Sequence, residues 1–155
     1  MSESKPRDAA EAAILPVGIG YLIGRLDHSL SRRMQEVLMP IGLTVSQYTA
    51  LSFIESKSQI SNSQLAQRAL ISPQSANEMV KQMEIKGWVM RTPDPFHGRV
   101  VQVNLTANGK QLLKQAHANA ASVEAHMLEG FTQVQQNAIH VNLRKMLQLL
   151  NSSFP

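Results

Sequence analysis

The first long pattern of apolar and polar positions along the chain is helical. From Leu15 to Leu38, apolar residues recur at steps of three and four, which places them on one face of an α-helix. Pro40 and Gly42 end this helix, because neither residue suits a helix interior. Residues 1–13 show no such repeat, so we expect a flexible tail there.

Several later stretches carry the signals of a helix start. Thr44, Ser61 and Thr132 are each followed three residues later by Gln, which is the sequence of a capping box. Ser72 precedes Pro73, and this order combines a good N-cap with proline at the first helical position. These signals predict helices beginning near residues 45, 62 and 73, and a last helix after Thr132.

The helix after Ser72 is amphipathic and ends at Gly87. Its apolar residues have the spacing of one buried face, and they are Ala76, Met79, Val80 and Met83. The opposite face displays Gln74, Ser75, Asn77, Glu78 and Lys81. Together, polar side chains of these types can donate to phosphates, and they can both donate to and accept from base edges.

After Gly87 the repeat changes from helix to strand. Residues 88–91 form a short apolar run, and residues 101–105 alternate between apolar and polar types, so we expect two strands of a hairpin. Arg91 and Arg99 flank the connection, which contains two prolines and a glycine. Thr106 can cap a further helix that runs to about Gly130.

This order of elements predicts a mainly α-helical fold with a small β-hairpin wing. Residues 42–106 form the expected winged helix-turn-helix domain, and residues 14–41 and 107–151 form a helical dimerisation region. The first and last helices have wide apolar faces that the small winged motif cannot cover, so we expect a two-fold homodimer.

Composition and charge narrow the function. The chain has 155 residues, no cysteine and a net charge of +4, and six basic against three acidic residues lie between Lys57 and Arg99. The basic excess therefore falls on the predicted winged motif and suits a polyanion. The longest uncharged stretch contains Pro40 and Gly42, so we expect no membrane span and a cytoplasmic protein.

Other function classes find little support in the residues. No nucleophile, base and orienting group are recognisable together, so we expect no enzyme. The glycines at 18, 20 and 24 follow no strand and precede no P-loop lysine. The histidines lack metal-ligand spacing, apart from His126 and Glu129, which could face one ion. We expect no metal and no cofactor.

The sequence resembles the MarR family of winged-helix transcriptional regulators over about residues 15–150. The resemblance is most specific from Lys86 to Gly109. It is carried by Gly42-Leu43-Thr44 with Gln47 and Leu51, Gln64-Leu65-Ala66, Ile71-Ser72, Lys86-Gly87-Trp88-Val89, Arg91-Thr92-Pro93-Asp94-Pro95, Gly98-Arg99 and Val103-Asn104-Leu105-Thr106-Ala107-Asn108-Gly109. The resemblance implies a homodimer joined through its terminal helices, with the winged motif on double-stranded DNA.

The expected DNA contacts lie on the second helix of the motif and on the wing. They are Ser72, Gln74, Ser75, Asn77, Glu78, Lys81, Arg91, His97 and Arg99. Two departures from the family pattern matter: His97 stands where an acidic residue often orients the wing arginine, and Glu78 stands where a basic residue is common. Either the operator is unusual or Glu78 points away from the groove.

The resemblance also implies a small aromatic or phenolic effector, bound between the dimer helices and the winged motif. Tyr21, Arg25, His28 and Tyr48 offer aromatic walls and a cation for a phenolic or carboxylate ligand. Alternatively, the two tyrosines are core rings with hydrogen-bonded hydroxyls, Arg25 pairs with a surface acid and His28 is solvated.

We therefore expect a ligand-responsive repressor that binds a palindromic operator as a homodimer. The alternative is a winged helix that contacts only proteins, without sequence-specific DNA binding. The modest net charge and Glu78 favour that alternative.

Overall fold

The computed structural model describes residues 18–57, 60–94, 96 and 101–152. The helices are α1 (Ile19–Leu38), α2 (Val45–Lys57), α3 (Asn62–Ala69), α4 (Pro73–Ile85), α5 (Ala107–Met127) and α6 (Gln133–Asn151), with a 3-10 turn at Met39–Ile41. The strands are β1 (Ile60–Ser61), β2 (Val89–Pro93) and β3 (Val101–Leu105). The predicted tail and Leu15 lie outside the described residues.

The predicted helix starts are confirmed by their hydrogen bonds. At Thr44, the backbone N–H donates to Gln47 Oε1 over 3.1 Å, and the Gln47 N–H donates to Thr44 Oγ1 over 3.1 Å. Ser61 and Thr132 form the same reciprocal capping box with the glutamines three residues later. Ser72 accepts from the Ser75 N–H over 3.0 Å, and Pro73 occupies the first turn. Local sequence therefore defines where these helices begin.

The hairpin is confirmed, but the expectation of two strands was incomplete. The sheet has three antiparallel strands in the order β1-β3-β2, and Ile60 of β1 lies opposite Val103 of β3. β1 contains only two residues, which is too short to show an alternating pattern. The strand exists because the chain entering α3 passes along the free edge of β3.

The core lies inside the winged motif and under the first half of α5. The side chains with almost no exposure include Leu51, Ile54, Leu65, Val80, Met83, Val103 and Leu113. At the start of α5, the Thr106 N–H donates to the Trp88 carbonyl over 3.0 Å. A β-carbon at Gly109 would overlap that same carbonyl oxygen. Glycine at this position therefore lets α5 approach the hairpin closely.

The two terminal helices have different surroundings. α1 packs against α5 and α2, yet Leu38 is its only buried residue within the described part of the chain. α6 has no buried residue in the part of the chain that the structure describes. Apolar side chains of both helices therefore face outward in a single copy of the chain.

Among the described residues, no single helix is long and apolar enough to cross a membrane, although the bent pair Ile19–Ile41 and Val45–Lys57, with 81° between its halves, reaches that length and hydropathy together.

Candidate nucleic-acid interface

Helices α3 and α4 form the helix-turn-helix, and the turn between them fixes the start of α4. Leu70 ends α3 in the left-handed conformation with φ 55°. The Asn62 side chain at the start of α3 donates to the Pro73 carbonyl over 3.0 Å. This bond ties the two helix starts together and presents the first turn of α4 to solvent.

The first turn of α4 offers both occupied and free polar groups. The Ser72 hydroxyl accepts from the Ser75 N–H and donates to the Ser75 hydroxyl over 2.8 Å. Gln74 is exposed, and its side chain has no hydrogen bond to any described residue. The Gln74 amide can therefore both donate to and accept from a ligand such as a base edge.

Arg91 joins the wing to α4, and the sequence did not predict this contact. From β2, its guanidinium donates to Asn77 Oδ1 over 3.0 Å and to the Asn77 carbonyl over 3.3 Å. Its Nε lies 3.6 Å from Glu84 Oε2. These contacts place Arg91 beside α4, where part of its charge is offset by Glu84, and they occupy the amide oxygen of Asn77. A bidentate contact of Asn77 with adenine would need that oxygen to accept a second hydrogen bond.

Glu78 lies on the outer face of α4. At 3.6 residues per turn, it is about 40° from Gln74 and about 60° from Lys81 around the helix axis. All three residues are exposed. Glu78 also borders a surface hollow together with Thr44 and Gln47 at the start of α2. The outward placement means that Glu78 shares the face that carries Gln74 and Lys81.

The described part of the wing is organised around Asp94. Its two carboxylate oxygens accept from the Phe96 N–H and from the Gln102 side chain, each over 2.7 Å. Phe96 is 90% exposed beside this turn. Two further predicted contact residues, His97 and Arg99, lie outside the described residues.

A second candidate site is a cavity of about 420 Å³ between α1, α2 and α5. Of the four residues predicted for an effector, Tyr48 lines this cavity. Tyr21, Arg25 and His28 are exposed elsewhere on α1, and the Arg25 guanidinium donates to the Tyr21 hydroxyl over 3.3 Å. The structure therefore brings one of the four residues to the cavity and leaves three outside it.

The cavity also contains charged residues that the sequence did not single out. Asp27 of α1 and Glu124 of α5 both line it. On an amphipathic helix such residues resemble an ordinary solvated face. Only the packing of α1 against α5 reveals that the two carboxylates border one space.

Tyr48 is held by a chain of side-chain hydrogen bonds. Its hydroxyl lies 3.0 Å from His117 Nδ1, and His117 Nε2 lies 2.9 Å from Glu55 Oε2. Burial raises the pKa of the Tyr48 hydroxyl above its ordinary value; the negative charges of Glu124 and Glu55 add to this effect, and a hydrogen bond with Ser52 opposes it. The tyrosine therefore remains neutral at physiological pH.

Comparison with known proteins identifies the family. A sequence profile of the MarR family matches residues 41–100. A helix-turn-helix transcriptional repressor of Mycobacterium tuberculosis is 31% identical over 134 residues, which cover 86% of this chain and 94% of that protein. The relatives are regulators of transcription rather than enzymes, and the comparisons do not support the protein-only alternative.

Solved structures agree with the sequence relatives. A variant of MarR from Escherichia coli in complex with operator DNA has a TM-score of 0.75 and 25% identity, covering 84% of this chain and 94% of that one. BpsR of Bordetella bronchiseptica shares the fold, with a TM-score of 0.74 and 21% identity over 84% of this chain and 93% of that one. On these grounds the chain belongs to the MarR family of winged helix-turn-helix proteins and is a DNA-binding transcriptional regulator.

Proposed function

We propose that the protein is a homodimeric repressor that binds a palindromic operator and releases it when a small molecule occupies the cavity. The observation that carries the proposal is the exposed polar face of α4, with the free amide of Gln74 at its start. This face sits on a fold that matches an operator-bound MarR. The proposed place of action is the cytoplasm.

The proposed DNA contacts divide by chemistry. Gln74, Ser75 and Asn77 approach base edges, while Lys81 and the wing residues His97 and Arg99 approach phosphates or the minor groove. Arg91 orients the wing through its bonds to α4, and its remaining donors face the backbone of the DNA. Glu78 accepts from a cytosine amino group, since a carboxylate near phosphate is otherwise repelled.

The proposed dimer follows from the outward apolar faces of the terminal helices. An isolated helix is marginally stable in water, and α6 buries none of its side chains within the described chain. Its exposed apolar residues include Val134, Val141, Leu143, Leu147, Leu149 and Leu150. A second copy can cover these faces and those of α1 with the same surfaces, as two-fold symmetry requires.

The proposed effector site is the cavity, because of where it lies. α1 and α5 belong to the terminal region, whereas α2 belongs to the winged motif, so a ligand there contacts both. Binding shifts the protein away from DNA only if the ligand prefers the dimer geometry that does not dock. The solved structure of BpsR concerns regulation of its DNA binding by 6-hydroxynicotinic acid, which supports a small-molecule effector here.

In the experiment, the full chain is mixed with fragments of genomic DNA, and the fragments that bind to it are selected and sequenced. We expect a palindrome in the bound fragments. The logarithm of the association constant for DNA should fall steeply as the logarithm of the salt concentration rises. Gln74→Ala should change the preference among sequences, with Gln115→Ala on α5 as the matched control. Lys81→Ala should weaken binding to all fragments and reduce the salt slope by about one, unlike Lys114→Ala.

Two results would contradict the proposal. One is a protein that binds no DNA fragment even at low salt. The other is a monomeric mass in light scattering at micromolar concentration, which would remove the dimer and the reason for a palindrome.

A further inference from the structure

The charged residues that line the cavity between α1, α2 and α5 all have one sign. Asp27 and Glu124 line it from two different helices, and no lysine, arginine or histidine is among its described lining residues. Neither carboxylate has a hydrogen bond or an ion pair through its side chain to another described residue. Both are therefore available to a ligand.

The rest of the wall is mainly apolar and polarisable, with hydroxyl groups added by Ser31 and Thr49. Tyr48 contributes a ring, Met34 and Met127 contribute thioethers, and Leu30 contributes an aliphatic surface. Aromatic faces attract cations, and thioethers pack well against aromatic groups. The volume of about 420 Å³ falls within the range of small-molecule sites.

The sequence had suggested the opposite ligand charge. Arg25 was the expected anchor for a carboxylate or phenolate, but it lies outside the cavity and bonds to Tyr21. An anion in the cavity would meet two carboxylates and no compensating cation on the described wall. A cation would meet two carboxylates and an aromatic ring, so the charges discriminate between the two ligand classes.

We infer that the effector of this protein is a lipophilic organic cation, with its ammonium group near Asp27 and Glu124 and its apolar body against Tyr48 and the two methionines. The effect on DNA rests on the repressor function proposed above, whereas binding to the cavity does not. The carboxylates hold the ammonium from α1 and from α5, so occupancy changes how these two helices sit on α2.

The test uses three probes of similar size and different charge. Phenyltrimethylammonium is a cation, tert-butylbenzene is its neutral counterpart with carbon in place of nitrogen, and benzoate is an anion. Their binding to the full chain is measured without DNA, by calorimetry or by chemical shifts of the Tyr48 ring. We expect the cation to bind about tenfold or more tightly than the neutral probe, and benzoate to bind weakest.

Three variants locate the charge effect. Asp27→Asn and Glu124→Gln should each weaken cation binding about threefold to tenfold, because both carboxylates are exposed and partly screened. They should leave binding of the neutral probe unchanged. Glu36→Gln on α1 changes the net charge equally, but Glu36 pairs with Arg32 and Arg33 away from the cavity. This control should bind the cation like the wild type.

The outcomes separate the inference from the repressor function. Equal binding of cation and neutral probe, tighter binding of benzoate, no binding of any probe, or unaffected binding in both cavity variants would each overturn the inference. DNA binding is measured in parallel with a labelled operator fragment. A protein that binds the cation through Asp27 and Glu124 but never binds DNA would support the site and overturn the repressor function instead.

Discussion

The winged motif and the terminal helices use the same apolar residue types but bury them differently. In the winged motif, Leu51 and Leu65 are 0% exposed. In the terminal region, Leu22 of α1 is 53% and Leu147 of α6 is 60% exposed. The first region completes its core within one chain, whereas the second presents an apolar surface that only another molecule can cover. An amphipathic pattern therefore predicts a buried face without saying which chain buries it.

The largest effect should come from the core of the winged motif. Leu51→Ala removes a fully buried side chain from α2, and we expect the free energy of unfolding to fall by about 2–5 kcal/mol. Urea denaturation measures the loss. The loss of unfolding free energy should not depend on protein concentration, since Leu51 is buried within its own chain. A loss well below this range would mean that the winged core is looser than the structure indicates.

The next effect concerns the contact between α5 and the hairpin. Gly109→Ala places a methyl group on the Trp88 carbonyl oxygen, and we expect a loss of about 1–3 kcal/mol. Gly24→Ala in α1 is the control, because nothing within 4 Å surrounds that position. Alanine there should stabilise the helix by about 0.5–1 kcal/mol. Equal stabilisation by both variants would contradict the close approach at Gly109.

A smaller effect is expected in the terminal region. It should appear in how the fraction of dimer depends on protein concentration. Leu147→Ala removes apolar surface from the proposed dimer interface, so the dimer dissociation constant should rise about tenfold. Sedimentation equilibrium measures this constant, and Gln148→Ala on the same helix is the control. If Leu147→Ala left dimerisation unchanged, α6 would not be at the interface.

A substitution in the turn between α3 and α4 should increase the stability of the protein instead of reducing it. Leu70 is 91% exposed and has φ 55°, a conformation that costs a leucine energy but suits asparagine. Leu70→Asn should therefore raise the free energy of unfolding by about 0.5–1 kcal/mol. Ile85 is similarly exposed but lies in α4, so Ile85→Asn should give no such gain in the same denaturation series.

The smallest effect is a pH dependence at the junction of the two regions. The pKa of Tyr48 is raised above 10.0 in the folded protein, so the unfolded chain loses this proton first. The contribution of neutral Tyr48 to the free energy of unfolding is fully present below about pH 10 and is lost as the pH rises further. Tyr48→Phe should therefore lose less stability between about pH 9 and pH 11 than the wild type. Equal losses in parallel denaturation series would contradict the shift.

Features encoded in short stretches of sequence were predictable. The helix starts at Thr44, Ser61, Ser72 and Thr132 could be identified because a cap involves residues only three apart. The hairpin was visible because β3 alternates over five residues. β1 was not, since two residues carry no period, and it depends on β3, which lies far along the chain.

The candidate site likewise has features that the sequence predicts and features that it does not. The polar face of α4 follows from its helical repeat, and so does the exposure of Gln74, Glu78 and Lys81. The bonds from Arg91 to Asn77 and Glu84 do not, because they require the wing to fold back onto α4. The exposed polar face of α4 was therefore predictable, but the way the wing is attached to α4 was not.

Periodicity and caps were enough to place the helices, the hairpin and the winged motif, because these depend on neighbours within a few residues. The charge of the cavity depends instead on α1 and α5 lying side by side, which brings Asp27 and Glu124 to one space and leaves Arg25 outside it. From the sequence alone, Arg25 is a plausible ligand contact, whereas Asp27 and Glu124 resemble ordinary solvated positions on amphipathic helices. Their selection is a matter of packing, because a helix face acquires its neighbours only when distant segments meet.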